Sequence, residues 1–142
     1  MKILNEMYEI INYDSERDEY TLRLLADSKI YKAHFPGLPV TPGVCLIRIA
    51  RELYQDLTGE QVELLGVSNA KFLNVVNPLE TPAIKLQFKK REEREEREER
   101  EEREEREERE ESKESKGRIK VQCVFHYDKI IYTKLSLSLK LI

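Results

Sequence analysis

Two short segments at the start of the chain have the residue pattern of β-strands, and the second of them alternates apolar and polar positions. Met7 to Tyr13 is rich in Ile and Tyr, and Glu19 to Ala26 places its Tyr and Leu residues on one side. A period of two is typical of a β-strand whose two faces differ in polarity. The polar residues Asp14 to Asp18 between them predict a turn, so we expect the two segments to pair as antiparallel strands.

A different period follows a dense run of prolines and glycines. The sequence HFPGLPVTPG, His34 to Gly43, holds three prolines and two glycines, which predicts a rigid, nonhelical loop because each residue before a proline favours extended geometry. Thr41 followed by Pro42 is a favourable N-cap and first helical position. Apolar residues then recur at helical spacing and predict a helix of about four turns that ends near Gly59. Its apolar positions are Leu46, Ile47, Ala50, Leu53, Tyr54 and Leu57.

Beyond the helix the pattern returns to strands. Val62 to Val76 is a long apolar-rich segment, interrupted by Gly66 and by the polar pair Ser68-Asn69, which predicts a bulged strand. Three further segments alternate, and Tyr127 to Lys129 predicts a hairpin turn between the last two. The apolar faces of these segments are Ile84, Leu86 and Phe88; Ile119, Val121, Cys123 and Phe125; and Ile131, Thr133, Leu135, Leu137, Leu139 and Leu141.

These elements occur in the order two strands, one long helix and four strands. An antiparallel sheet of about six strands wrapped round a helix fits that order, so we expect an α+β fold. The 142 residues are enough for one core and too few for two ordinary domains. We therefore predict a single domain over residues 1–142, with the charged segment described next as an insertion.

The charged segment, Arg91 to Glu111, consists of seven copies of Arg-Glu-Glu and contains no apolar residue, so it cannot enter a core. Both residue types favour helix, and each second Glu lies four residues before an Arg. A solvated helix is the preferred prediction, and disorder is the alternative. Because the run interrupts a hairpin expected between the strands at Ile84 and Ile119, we interpret it as a repeat expansion or an engineered insertion.

Composition and charge limit the classes of protein that fit. The formal net charge is −3, from 25 basic and 28 acidic residues; without the seven Arg and fourteen Glu of the run, 18 basic and 14 acidic residues remain, a charge of +4. A mildly basic domain suits an acidic partner. Cys45 and Cys123 are too few for a disulfide framework or a thiolate metal site. The chain lacks the apolar stretch of a signal peptide or a membrane span, so we expect a soluble, cytoplasmic protein.

The loop before the helix carries a recognisable motif. HFPGLPVTPGV, His34 to Val44, resembles the active-site segment of the hotdog-fold 3-hydroxyacyl-acyl-carrier-protein dehydratases, which runs His-Phe-Pro-Gly, two or three residues, Pro-Gly-Val and a long helix. The segment from Asn69 to Pro78 is similar to that family's later strand and turn. The resemblance implies a hotdog fold, a dimer in which two sheets join, and two acyl tunnels at the dimer interface.

Dehydration of a 3-hydroxyacyl thioester needs a base for the C2 proton, a donor for the thioester oxygen and an acid for the leaving 3-hydroxyl. His34 is the candidate base, because histidine is largely neutral at pH 7 and this one lies in a constrained loop. The Gly43 N–H lies in the first helical turn, where unpaired amides and the helix dipole favour an oxyanion; the alternative is that Gly43 serves packing only. Phe35, Pro42 and Val44 are assigned to the substrate-binding site.

Arg48 departs from the resemblance, because the family carries an acidic residue, usually Glu, at this position. A guanidinium keeps its proton at any useful pH and cannot replace that acid, so Arg48 is assigned to substrate binding. Glu52, four residues on and on the same helix face, is the candidate substitute acid; the alternative is that it pairs with or neutralises Arg48 on the surface. His126 lies beside the predicted hairpin turn with no motif around it and is interpreted as a surface residue.

Three functions remain open. The first is a dehydratase in fatty-acid or related acyl-chain biosynthesis, acting on 3-hydroxyacyl chains held by an acyl carrier protein. The second is a noncatalytic or half-catalytic hotdog subunit that binds acyl thioesters or pairs with a paralogue supplying the missing carboxylate. A thioesterase is the third, and Arg48 disfavours it because a placed carboxylate must activate water. No metal or other cofactor is implied, a homodimer or higher homo-oligomer is expected, and neither nucleic acid nor a membrane is a predicted partner.

Overall fold

Six strands and two helices make up the described part of the chain. The structure is a computed structural model that describes residues 2–94 and 117–142. None of the helices in these ranges is long and apolar enough to span a membrane. The elements are β1 (Tyr8–Asp14), β2 (Glu19–Leu24), α1 (Lys29–Ala33), α2 (Gly43–Thr58), β3 (Val62–Phe72), β4 (Ala83–Arg94), β5 (Arg118–Tyr127) and β6 (Ile130–Leu141).

The strands form one antiparallel sheet in the order β1-β2-β4-β5-β6-β3. Hairpins join β1 to β2 and β5 to β6, whereas β3 pairs with β6 from the far end of the chain. The chain therefore leaves the sheet at β2 and re-enters it at the opposite edge, and α2 lies in the connection. The predicted α+β arrangement of six strands around one long helix is confirmed.

The core lies between α2 and one face of the sheet. α2 buries residues three and four positions apart, and buried and exposed positions alternate along β5, as the sequence predicts. A fully buried aliphatic or aromatic side chain contributes about 1.5–3 kcal/mol relative to an exposed one, so this interface is the main source of stability. Its most buried members include Ile49, Leu53, Leu22, Ile84, Leu86, Phe125 and Leu139.

The predicted irregularity of β3 is present. Its pairing with β6 shifts register between Leu64 and Gly66 and again between Val67 and Asn69. Each shift inserts an extra residue into the strand and increases its local twist. β3 is thereby bent along the edge of the sheet.

The last hairpin has the predicted turn but a different inward face. Asp128 and Lys129 connect β5 to β6, and both have positive φ, as a two-residue type I′ turn requires. Ile131 was predicted to face the core and is exposed, whereas Tyr132 is buried. The reason is a register shift in the pairing of the two strands: Phe125 pairs with Thr133 and His126 with Ile131, so Tyr132 is an additional residue in β6 and reverses the alternation there.

Two local features before α2 differ from the prediction. The short helix α1 is additional, and its N-cap is Ser28, whose hydroxyl accepts the Ile30 N–H at 3.1 Å. The residue that precedes α2 is Pro42 and not Thr41. The Thr41 hydroxyl forms a buried 2.7 Å hydrogen bond with the Tyr31 hydroxyl instead, so it serves packing between α1 and the loop.

The start of the Arg-Glu-Glu run belongs to a strand. β4 continues to Arg94 in antiparallel pairing with β5, so the predicted helix is wrong for these first residues, and the predicted hairpin between the flanking strands is confirmed. The guanidinium of Arg91 pairs with Asp18 at 2.7 Å and lies 5.9 Å from the centre of the Phe88 ring, which favours the extended form here. Residues 95–111 of the run lie outside the described residues.

Candidate active site

A cavity opens where the start of α2 meets the end of β3 and the inner face of β6. Its volume is about 360 Å³, within the range of small-molecule sites. Residues 40–43 and Leu46 form the helix side, and residues 72–76 with Thr133 form the sheet side. The predicted motif loop therefore supplies one wall of a site-sized cavity.

The first turn of α2 forms part of that wall. Pro42 precedes the helix with φ −65° and ψ 147°, and no side chain caps the first turn. The N–H groups of Cys45 and Leu46 both donate to the Pro42 carbonyl, at 2.9 and 3.2 Å. Gly43 is the first residue of α2, so its N–H lies at the positive end of the helix dipole. An oxygen that gains negative charge would be stabilised at this position.

Gly43 also permits a close contact with Phe72. A Cβ at position 43 would lie 2.8 Å from Cζ and 2.9 Å from Cε1 of the Phe72 ring, nearer than real Cβ atoms approach. Phe72 is half exposed and lines the cavity. The packing interpretation of Gly43 is therefore supported, and because Gly43 also lines the cavity it remains compatible with the oxyanion interpretation.

His34 is connected to the cavity wall through its backbone. It follows α1, where its N–H donates to the carbonyls of Ile30 and Tyr31, and its own carbonyl accepts the N–H of Val40 at 2.8 Å. Val40 lines the cavity. The imidazole is exposed and packs edge-on against the ring of Phe35, with centroids 5.7 Å apart. Within the described chain His34 lies beside the cavity and not among its lining residues.

The other predicted binding residues are divided between the cavity and the surface. Pro42 lines the cavity. Phe35 and Val44 are exposed, Val44 by 71%, and Arg48 is partly buried on α2. Burial raises the pKa of the neighbouring Cys45 thiol, and the positive charge of Arg48 offsets part of that rise. In residues 2–94 and 117–142, only Pro42 and Gly43 of the predicted site residues line the cavity.

Glu52 lies in a different environment from the one predicted. Its carboxylate is 4% exposed. One oxygen accepts the Ile3 N–H at 2.8 Å, and the other accepts the Leu4 N–H at 3.0 Å and the Tyr8 hydroxyl at 2.9 Å. Burial and the Glu52 carboxylate raise the pKa of Tyr8, so its hydroxyl remains a donor. Glu52 thus ties the N-terminal segment to α2.

This geometry argues against Glu52 as the substitute acid. Both of its oxygens accept hydrogen bonds from the protein, and Glu52 is not among the residues that line the cavity. The alternative surface placement is wrong, because the side chain is buried. We therefore leave Glu52 out of the catalytic set proposed below.

His126, interpreted from the sequence as a surface residue, is partly exposed and is paired with a buried carboxylate. Its Nε2 lies 2.6 Å from a carboxylate oxygen of Glu19, and Glu19 itself is buried. Arg17 and Lys85 approach the other oxygen at 3.4 and 4.0 Å. The cluster joins β2, β4 and β5 on the sheet, and its contacts are too distant in sequence for a local pattern to reveal.

Sequence reasoning missed the sheet side of the cavity. Residues 72–76 were interpreted as the end of an apolar strand, and Thr133 as one member of an inward apolar face. Core packing alone accounts for both patterns. The available signal was a hydroxyl in a face otherwise formed by Leu and Ile, since a buried hydroxyl needs a partner.

Comparison with known proteins identifies the family to which the chain belongs. The chain belongs to the ApeI-like family, whose model, described as ApeI dehydratase, matches residues 11–108. It is 27% identical over 90 residues to the 3-hydroxyacyl-[acyl-carrier-protein] dehydratase FabZ of Syntrophobacter fumaroxidans, and 33% identical over 71 residues to that of Latilactobacillus sakei. These matches cover 58% and 45% of this chain and only 61% and 51% of the relatives. The predicted family resemblance is confirmed.

Solved structures show the same fold. The dehydratase heterocomplex ApeI:P from Xenorhabdus doucetiae superposes with a TM-score of 0.56 at 14% identity, over 93% of this chain and 96% of that one. An uncharacterized protein from Erwinia carotovora subsp. atroseptica gives 0.54 at 14% identity, over 95% and 93%. At these identities the likeness concerns the fold alone, and it confirms the expected hotdog architecture.

The contacts of Glu52 predict a structural role that can be measured. Glu52→Gln keeps one acceptor oxygen but turns an NH₂ group toward a backbone N–H, which leaves a buried donor unsatisfied and should cost about 2 kcal/mol or more. Urea denaturation followed by circular dichroism measures this loss. The exposed Glu60→Gln is the matched control and should change stability little. Equal stability of the two variants would contradict the structural role.

Proposed function

We propose that the chain acts on 3-hydroxyacyl groups held by an acyl carrier protein and eliminates water to give the trans-2-enoyl thioester. The cavity is the observation that carries this proposal, because it brings the motif loop, the start of α2 and an apolar wall together. Membership of the ApeI-like dehydratase family supports elimination of water as the reaction. The FabZ relatives, which are named as acyl-carrier-protein dehydratases, support the substrate class.

The proposal assigns a separate step of the reaction to each group of residues. In the proposal the thioester oxygen lies at the start of α2, where the Gly43 N–H stabilises the charge that develops as C2 loses its proton. His34 accepts that proton. The apolar segment of residues 73–76, with Pro42, contacts the acyl chain.

This set of residues contains no assigned acid for the departing 3-hydroxyl. Arg48 occupies the position where the resemblance implies an acid, and the oxygens of Glu52 are engaged in the core. A positioned acid contributes about 10²- to 10⁴-fold in rate. We therefore propose that the chain alone is a slow dehydratase.

Arg48 also favours a second candidate function. In it, the chain binds acyl thioesters as one subunit of a pair, and a paralogous hotdog subunit supplies the missing carboxylate. The neighbouring ApeI:P structure is by its own description a heterocomplex, which supports this arrangement. A rate measurement on the isolated chain and on a mixture with such a paralogue separates the two candidates.

An apolar edge of the sheet supports assembly with a second subunit. β3 is paired on one side only, and its apolar residues remain exposed in the single chain. An exposed apolar edge strand is a template for further pairing. Pairing of two β3 edges would join the two sheets. The exposed apolar residues of this edge are Leu64, Leu65, Val67, Phe72, Leu73 and Val75.

The proposed dimer predicts a difference between the two edges of the sheet. Val67→Arg places a charge on the β3 edge and should shift the protein to monomer in sedimentation velocity at micromolar concentration. Ile11→Arg, also at a strand irregularity but on the β1 edge, is the control and should remain dimeric. A wild-type monomer, or dissociation by Ile11→Arg alone, would contradict pairing through β3.

The oxyanion role of Gly43 predicts a loss of activity without a matching loss of stability. Gly43→Ala should lower kcat/KM for a 3-hydroxyacyl carrier substrate by about 10²-fold, because its methyl group and the displaced Phe72 ring obstruct the thioester. The half-exposed ring can move, so the melting temperature should change little. Gly66→Ala is the control, since its Cβ would meet nothing within 4 Å. Unchanged kcat/KM in Gly43→Ala would contradict close approach of the thioester to this turn, because alanine keeps the N–H and changes only the space in front of it.

The position of Arg48 predicts a gain of function. If the missing acid limits the rate, Arg48→Glu should raise turnover of a 3-hydroxyacyl carrier substrate by about 10²-fold or more. His34→Ala in that background should abolish the gain, and His126→Ala should not. Fast turnover by the unmodified chain would refute the slow-dehydratase proposal. Binding without turnover in both the wild type and Arg48→Glu would favour the binding-subunit alternative.

A further inference from the structure

Thr133 is a buried hydroxyl in the wall of the cavity. It lies on the inner face of β6, is 0% exposed, and lines the cavity on the sheet side. Its Oγ1 is the buried side-chain polar atom in the described chain that has no hydrogen-bond partner. A buried hydroxyl without a partner is unfavourable, so a valine of the same shape at this position should be at least as stable as Thr133.

The other polar side chains of the cavity are engaged elsewhere. The Thr41 hydroxyl is hydrogen-bonded to the Tyr31 hydroxyl at 2.7 Å. The Asn74 side chain donates its Nδ2 to the carbonyl of Ile131 at 2.9 Å. Asn74 is exposed, so its remaining amide groups can be hydrated. Thr133 is therefore the buried polar side chain of this wall that has no hydrogen-bond partner, and it lies opposite the helix side that contains the Gly43 N–H.

We propose that the Thr133 hydroxyl binds the 3-hydroxyl group of the substrate. This inference rests on the proposed function, in which the Gly43 N–H binds the thioester oxygen. The 3-hydroxyl is then the remaining polar group near the reacting carbons, and it enters a cavity whose walls are otherwise mostly apolar. A threonine hydroxyl can both donate to it and accept from it. Thr133 thus distinguishes a 3-hydroxyacyl chain from a saturated chain of the same length.

The test compares two ligands that differ in one hydroxyl. The probes are 3-hydroxyoctanoyl-pantetheine and octanoyl-pantetheine in which an amide replaces the thioester, titrated calorimetrically into the full chain. Wild type should prefer the hydroxylated probe. Thr133→Val should weaken its binding by about 3- to 10-fold, the range of one neutral hydrogen bond, and leave the saturated probe unchanged or tighter. Thr133→Ser keeps the hydroxyl and should keep the preference.

Stability and assembly provide the second readout. Thr133→Val should melt at the same or a higher temperature than wild type, since it removes an unpartnered polar group, and should sediment as wild type does. Equal weakening of both probes, no weakening of either, or a change in sedimentation would overturn the assignment. If both probes bind wild type but Thr133→Val keeps the wild-type preference for the hydroxylated probe, this inference alone fails. If neither probe binds wild type, both this inference and the proposed function fail.

Discussion

The packing of one face of α2 against the inner face of the sheet is the interaction on which the rest of the structure depends. The helix has 16 residues, and its buried positions meet the inward residues of several strands. Because the chain crosses from β2 to the opposite edge through this helix, its first turn is held beside β6 and the end of β3. The cavity is a consequence of that placement.

Stability and chemistry are assigned to different parts of the same helix. In its middle, Glu52 binds two backbone N–H groups and the Tyr8 hydroxyl, and so fixes the N-terminal segment. At its start, the polar groups offered to the cavity belong to the backbone, with no side-chain cap to occupy them. An amide at a helix N-terminus suits a developing oxyanion, and it needs no ionisable side chain to do so.

Much of the fold was predictable because its signals are local. Alternation identified the strands, the two irregularities of β3 followed from Gly66 and Ser68-Asn69, and the hairpin turn at Asp128 and Lys129 followed from polarity. The motif loop before α2 was identified through its resemblance to the active-site segment of the dehydratase family.

The sequence predictions were wrong or incomplete for residues whose environment is set by contacts with distant parts of the chain. Glu52 acquired its role from residues 44 to 49 positions away, and no pattern around it indicates a buried carboxylate. His126 is joined to Glu19 across 107 positions. Ile131 faces outward because the pairing with β5 leaves Tyr132 as an additional residue in β6. Thr133 was not recognised as a cavity residue, because its position in an alternating apolar face is also typical of a core residue.

The central claim is that acyl thioesters bind where the start of α2 meets the sheet, and ligand mapping in solution tests it directly. Amide resonances of the labelled chain would be followed during titration with octanoyl-pantetheine amide. The account predicts that chemical-shift changes concentrate at Gly43, Val76 and Thr133, which lie on three separate segments of the cavity wall, while Ile11 on the opposite sheet edge stays unchanged. Changes centred on β1 and β2, or none at the start of α2, would contradict it.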